Sequence, residues 1–252
     1  MNRIPFPIFL LYLLLVGLAL LSVWKGFDLG YYIGNGLMIP TLIYLIVKKY
    51  HEYDSPLLPQ LVVALIFSFL GDLFMMIPVE EGFFTLIGIC TFMIAQFAYG
   101  ILFLKSTNFR LFTKVPLTER WPEILLLTII GIVFSQVYEF LGDYLIAGMI
   151  FLLISTSTFL FGLNRRFLVS KVSFGLVLAG LIGFFISDVL SAVDIFFHNR
   201  EIHMAIILAY STGHILVTNG ILIQVENTKK REKAANFGAF SKFPSDDISR
   251  LN

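Results

Sequence analysis

Two aspartates inside long apolar runs are the strongest chemical feature of the sequence. Asp72 closes the segment Ser68-Phe69-Leu70-Gly71-Asp72 within an apolar run at about 58–78, and Asp188 follows Ser187 within a second run at about 172–197. Moving an aspartate into hydrocarbon costs about 2.5–3.5 kcal/mol on insertion scales. Carboxyl groups at such positions are candidates for function, and we expect the rest of the chain to bring these two together.

Other polar residues share helical faces with the two aspartates. Ser68 lies four residues before Asp72, and Ser187, Ser191 and Asp194 repeat at i, i+4 and i+7. Further polar residues within apolar runs are Asn35, Gln96, Tyr99, Tyr210, His214 and Thr218. Polar groups in a membrane need internal partners, so all of these should point into the bundle, either as substrate-binding residues or as hydrogen bonds between helices.

The composition is that of a helical membrane protein. Of 252 residues 58% are hydrophobic and 14% are charged, and the mean hydropathy is +0.86, whereas a soluble domain carries about 25% charged residues. The single cysteine, Cys90, excludes intrachain disulfides and CxxC metal sites. No GxSxG, Walker or HExxH motif occurs, and no basic stripe suited to nucleic acid.

The apolar runs predict an all-α transmembrane bundle with eight spans, each of about 20 residues. The expected spans are 6–23, 30–47, 58–78, 83–104, 122–138, 144–162, 172–197 and 203–225. We expect one transmembrane domain, residues 1–225, followed by a poorly ordered polar tail, residues 226–252.

Basic residues are distributed unequally between the two sets of loops. One side carries only Lys25 and Arg200, and the other carries fourteen, namely Arg3, Lys48, Lys49, Lys105, Arg110, Lys114, Arg120, Arg165, Arg166, Lys171, Lys229, Lys230, Arg231 and Lys233. Cytoplasmic loops are enriched in lysine and arginine. The sequence therefore predicts cytoplasmic N and C termini, in a bacterial inner membrane or its equivalent.

Under this topology the two aspartates lie at similar depth on parallel helices. Asp72 is six residues before Pro78, and Asp188 is nine before Phe197, which places both about 9–14 Å below the outer ends. We expect a shared interior site with the carboxyl groups within about 10 Å.

At these residues the chain resembles the YhhN-type membrane proteins, whose characterised members are lysoplasmalogenases. The resemblance covers residues 6–225 and rests on four segments: 64–72, Gly88 to Tyr99, Phe184-Phe185-Ile186-Ser187-Asp188, and Tyr210 to Gly220. The chain departs from the family at four positions. Asn35-Gly36 replaces a common Lys-Pro pair, Gln96 a histidine, Asp194 an asparagine, and His214 a glutamine.

The resemblance implies hydrolysis of the vinyl ether bond of lysoplasmalogens, giving a fatty aldehyde and glycerophosphoethanolamine or glycerophosphocholine. That reaction needs one carboxyl group as acid and one carboxylate to stabilise an oxocarbenium ion and guide water. Asp72 and Asp188 are the candidates, and one of two neighbouring buried carboxyl groups can hold a proton near neutral pH. This chemistry requires no metal and no cofactor, and the lysophospholipid would enter from the bilayer.

Two alternatives from other classes stay open. Buried aspartates also bind protons or cations in small transporters, although no inverted repeat is evident and Pro40 is the only proline well inside a span. The departures at Asn35 and Gln96 also allow a lipid-binding membrane protein without activity.

Overall fold

The computed structural model describes residues 4–50, 53, 55–77, 82–107 and 117–240. Within these ranges the chain is all helical and has no strand. The α-helices are α1 (Phe6–Lys25), α2 (Asp28–Tyr50), α3 (Leu57–Met75), α4 (Phe83–Lys105), α5 (Trp121–Val137), α6 (Leu145–Asn164), α7 (Lys171–Phe197) and α8 (Arg200–Phe240). Three short 3-10 segments cover Leu117–Glu119, Tyr138–Tyr144 and Arg165–Phe167.

Local sequence signals set several helix ends. Gly26 ends α1 in the left-handed region, with φ 68°, where its N–H reaches the last carbonyl groups of the helix. Ser170 begins α7 as an N-cap, since its side chain accepts a hydrogen bond from the N–H of Ser173 at 3.3 Å. The polar tail expected from residue 226 starts as a continuation of α8 to Phe240, and residues 241–252 lie outside the described residues.

The predicted count of eight spans is wrong: among the described residues seven helical runs are long and apolar enough to cross a membrane. The difference lies at 122–138 and 144–162, which the structure joins into one run of 47 residues, Trp121–Phe167. The 3-10 segment Tyr138–Tyr144 follows α5 directly and leads directly into α6, so no loop separates the two expected spans.

This 47-residue run is a hairpin. Gly142 has non-helical backbone angles, φ 47° and ψ −125°. Arg166 Nη2, beyond the end of α6, lies 2.9 Å from Glu123 Oε1 at the start of α5. Phe140, at the tip of the hairpin, packs against Phe197 at the end of α7, with ring centroids 5.7 Å apart. The hairpin therefore begins and ends at one end of the bundle and turns at the other.

Helix α8 lies at the centre of the bundle and packs most closely on α7. A Cβ atom on Gly180 would lie 2.8 Å from the carbonyl oxygen of Gly213, and one on Gly183 would lie 2.9 Å from that of Ala209. Only glycine allows backbones to approach this closely, as is usual where membrane helices pack without a hydrophobic driving force. Of an apolar stretch of 18 residues in α8, 61% is buried within the protein, whereas the corresponding value for the hairpin is 11%.

The end of the bundle that carries most of the basic residues is held by a buried cation. Arg165 has an exposed fraction of 0%. Its Nε donates to Ser106 Oγ at 3.1 Å, and its Nη2 donates to Ser173 Oγ at 3.2 Å and to Gln224 Oε1 at 2.6 Å. One side chain thus ties the ends of α4 and α6 to α7 and α8.

Candidate functional site

Asp72 is buried close to the end of α3 and is hydrogen-bonded to Tyr210. Its exposed fraction is 7%. The hydroxyl of Tyr210, on α8, donates to Asp72 Oδ2 at 3.1 Å and lies 3.5 Å from the carbonyl oxygen of Ser68. Tyr210 therefore holds one of the two carboxyl oxygens of Asp72.

A second tyrosine and a histidine extend this cluster. The Tyr99 hydroxyl lies 3.1 Å from His214 Nδ1, and it also interacts with the side chain of Ser68. The rings of Tyr210 and His214 meet edge to face at 4.4 Å between centroids. Helices α3, α4 and α8 thereby contribute five predicted site residues to one cluster: Ser68, Asp72, Tyr99, Tyr210 and His214.

Asp188 has a different environment, on the side of α7 that faces α6. Its carboxyl group interacts with the side chain of Ser155. Its Oδ2 atom is buried and has no hydrogen-bond partner among the described residues. Buried polar groups normally have a partner, which makes this carboxyl group unusual among the described polar side chains.

Phe184 packs α7 against the cluster around Asp72. It lies one helical turn before Asp188, and its ring packs against Tyr210 at 6.2 Å and against His214 at 4.7 Å between centroids. The chain of contacts from Asp72 through Tyr210 and Phe184 leads to the turn of α7 that carries Asp188. The expected separation of the two carboxyl groups, within about 10 Å, stays a prediction.

The ends of both aspartate helices meet at one pocket. A cavity of about 420 Å³ is lined by Met75 and Met76 after Asp72, and by Asp194 near the end of α7. Asp194 Oδ2 lies 3.3 Å from His203 Nδ1, and Tyr31, also in the lining, interacts electrostatically with both Asp72 and Asp194. The helices that carry the two aspartates therefore run in the same direction.

The remaining predicted residues stand apart from these contacts. Asn35, Gln96 and Ser187 are buried, and Ser191 is half-buried. The backbone carbonyl of Gln96 accepts a hydrogen bond from the Thr158 hydroxyl at 2.8 Å, which joins α4 to α6. Within the described part of the chain, no hydrogen bond or ring contact joins these four side chains to either aspartate.

Sequence reasoning missed several residues around the site. Tyr12 is buried, donates to the carbonyl oxygen of Ser211 at 2.7 Å, and interacts electrostatically with Asp72. Tyr31 and Ser155 each interact with an aspartate. A tyrosine or serine within an apolar run is a weak signal, because only the rotation of its helix decides whether it faces lipid or the interior.

Comparison with known proteins gives one match. A family model described as the YhhN family matches residues 32–221. The matched range begins in α2, ends in α8 and contains both aspartates. It includes the pocket residues from Tyr32 onward, but not those of α1 and the start of α2. No curated protein and no solved structure matches the chain.

Proposed function

The chain belongs to the YhhN family of lysoplasmalogenase-like membrane proteins, and from this premise we propose that it hydrolyses the vinyl ether bond of lysoplasmalogens. The products would be a fatty aldehyde and glycerophosphoethanolamine or glycerophosphocholine. Asp72 and Asp188 are the proposed acid–base pair.

One observation carries the proposal: the carboxyl group of Asp72 is buried beside a pocket and held by Tyr210. The hydrogen bond of 3.1 Å fixes the orientation of the carboxyl group, and the pocket begins at Met75 and Met76, three and four residues further along the chain. A carboxyl group held in one orientation, one helical turn from a cavity with both polar and apolar lining residues, is suited to acid–base chemistry on an amphiphilic substrate.

The proposed reaction has three steps. One carboxylic acid transfers its proton to the vinyl carbon remote from the ether oxygen, and the cation that forms is shared between the ether oxygen and the adjacent carbon. The other carboxylate stabilises this cation and takes a proton from a water molecule that attacks the carbon. The carboxyl group that took the proton from water then gives it to the glycerol oxygen as the carbon–oxygen bond of the hemiacetal breaks. The other carboxylate takes the proton of the hemiacetal hydroxyl, so the aldehyde is released and both groups return to their starting states. The net reaction consumes one water molecule and no metal ion takes part.

The two carboxyl groups have environments that suit unequal roles. Tyr210 donates to Asp72, whereas Asp188 interacts with Ser155 and has one oxygen, Oδ2, without a hydrogen-bond partner among the described residues. Pairs of carboxyl groups in unlike surroundings divide acid and base roles between them. Ser68, Tyr99 and His214 would line the path of the substrate next to Asp72.

The membrane orientation belongs to the same proposal. The hairpin returns to the end at which it starts, and so it leaves the basic loops before α5 and after α6 on one side. We place that side, with both termini, in the cytoplasm, and the pocket at the opposite surface. The lysophospholipid would enter from the bilayer with its headgroup toward the pocket.

Aldehyde release by the protein purified in detergent tests the proposal. The substrates are three lysolipids with one headgroup and a vinyl ether, a saturated ether or an ester at the first glycerol carbon. We expect aldehyde only from the vinyl ether, no loss of rate with a chelator, and no release by the Asp72→Asn variant. A wild-type protein that releases no aldehyde from any vinyl ether lysolipid would refute the proposed activity.

A further inference from the structure

The pocket at the ends of α1, α3 and α7 carries charged side chains of both signs. Arg200 donates from Nη1 to the backbone carbonyl oxygen of Trp24 at 3.0 Å, which fixes the guanidinium group at the pocket. Asp28, in the first turn of α2, also lines the cavity. Neither residue forms an ion pair with another described residue, so both charges are available to a ligand.

The third charge of the pocket is already engaged. Asp194 accepts the N–H of Asn199 at 2.9 Å through Oδ1 and contacts His203 Nδ1 at 3.3 Å through Oδ2. Asp194 therefore organises the wall between α7 and α8. A ligand would meet a cation at Arg200, an anion at Asp28, and the aromatic rings of Tyr31 and Tyr32.

We infer that this pocket binds the zwitterionic headgroup of a lipid, with the phosphate on Arg200 and the ammonium group on Asp28 and the two tyrosines. Guanidinium groups bind phosphate through paired hydrogen bonds, and ammonium groups bind carboxylates and the faces of aromatic rings. The volume of about 420 Å³ lies within the range of about 300–1,000 Å³ that is typical of small-molecule sites.

The position of the pocket fits the length of the substrate, an argument that rests on the proposed function. From Asp72 to Met76 the helix rises roughly 6 Å. In a lysolipid five covalent bonds separate the phosphorus from the ether oxygen of the first glycerol carbon, an extended distance of roughly 6 Å. A headgroup held in the pocket thus places the ether bond at the depth of Asp72.

Binding of unreactive ligands tests the inference separately from catalysis. The protein has two tryptophans, and Trp24 follows Val23 of the pocket lining, so a Trp121→Phe background makes Trp24 the fluorescent reporter. The ligands are a saturated 1-O-alkyl-glycerophosphoethanolamine, the corresponding alkylglycerol phosphate, the alkylglycerol without phosphate, and glycerophosphoethanolamine without a chain. None contains a vinyl ether, so none can be cleaved by the proposed reaction.

Lys25→Gln is the matched control for Arg200→Gln. Both remove a cation from the same end of the bundle, but Lys25 lies over the Trp24 ring and does not line the pocket. We expect Arg200→Gln to weaken binding of both phosphate-bearing lipids about tenfold, Arg200→Lys to recover part of this, and Lys25→Gln to leave binding unchanged. Asp28→Asn should weaken binding of the phosphoethanolamine lipid only.

Three results would overturn the inference. The first is equal binding of the phosphoethanolamine lipid by the Arg200→Gln and Lys25→Gln variants. The second is binding of the alkylglycerol as tight as that of the phosphoethanolamine lipid. The third is equally tight binding of glycerophosphoethanolamine, since the site would then recognise a free phosphoester and not a lipid. If the variants bind as expected but the wild type releases no aldehyde from the vinyl ether, the headgroup site stands and the proposed hydrolysis fails.

Discussion

Replacing Tyr210 with phenylalanine tests whether the hydrogen bond to Asp72 serves catalysis. The substitution removes one hydroxyl that donates to Asp72 Oδ2 at 3.1 Å and leaves the ring contacts with His214 and Phe184 in place. A hydrogen bond to a charged group contributes about 1.5–3 kcal/mol, and each 1.36 kcal/mol of lost transition-state stabilisation lowers the rate about tenfold. We therefore expect kcat/KM for aldehyde release to fall by about 10- to 100-fold.

The same substitution should affect folding much less. Hydrogen bonds between membrane helices contribute on average about 0.6 kcal/mol and at most about 1.7 kcal/mol to unfolding free energy. Thr158→Val is the matched control, because it also deletes a buried hydroxyl, one that donates to the Gln96 carbonyl oxygen at 2.8 Å. Both variants should show a similar small decrease in Tm in detergent, and only Tyr210→Phe should lose activity.

Two outcomes would refute this reasoning. If Tyr210→Phe is folded and keeps the kcat/KM of the wild type, the hydrogen bond does not stabilise the transition state. If Thr158→Val loses as much activity as Tyr210→Phe, the loss reports general destabilisation of the bundle and not the orientation of Asp72.

Three further predictions concern the acid–base pair, the glycine contacts between α7 and α8, and the topology. Asp72→Asn and Asp188→Asn should each nearly abolish aldehyde release, and the double variant should be little worse than either, because groups that act as a unit are not additive; a folded single variant with most of the wild-type rate would contradict this. Gly180→Ala should lower the unfolding free energy, measured by denaturation in detergent, by about 1–3 kcal/mol because its Cβ would meet the backbone of α8. Gly175→Ala is the control in the same helix and should leave the unfolding free energy nearly unchanged, because the space around Gly175 is open. A reporter active only outside the cytoplasm, fused after Asn227, should give no signal, and a strong signal would reverse the proposed orientation.

Hydropathy alone predicted most helix bounds to within a few residues. The expected span at 83–104 is the helix Phe83–Lys105, and that at 172–197 is Lys171–Phe197. This agreement arises because the cost of exposing backbone and polar groups to hydrocarbon acts on every residue of a span. The prediction failed at Tyr138–Tyr144, where a polar stretch read as a loop adopts 3-10 geometry and joins two spans into one run.

The neighbours of each side chain were not readable from the sequence. Asp72 was expected to have a polar partner, but nothing in the spacing identified Tyr210, which lies 138 positions away. Arg165 was counted among the loop cations, yet it is buried against Ser106, Ser173 and Gln224. Such contacts depend on how each helix is rotated and which helices are adjacent, and a membrane bundle sets both by shape.

The glycine contacts between α7 and α8 have a consequence for how the molecule opens. Segments with many buried contacts open only at free energies near that of global unfolding, and segments with few open far more readily. Amide hydrogens around Gly180 and Gly213 should therefore exchange with solvent deuterium last. In the hairpin Trp121–Phe167 only 11% of an apolar stretch of 18 residues is buried within the protein, so its amide hydrogens should exchange earlier. Tyr210 belongs to the slowly exchanging half, whereas Ser155, which interacts with Asp188, belongs to the other. We therefore expect the wall that Ser155 forms beside Asp188 to move more readily than the surroundings of Asp72.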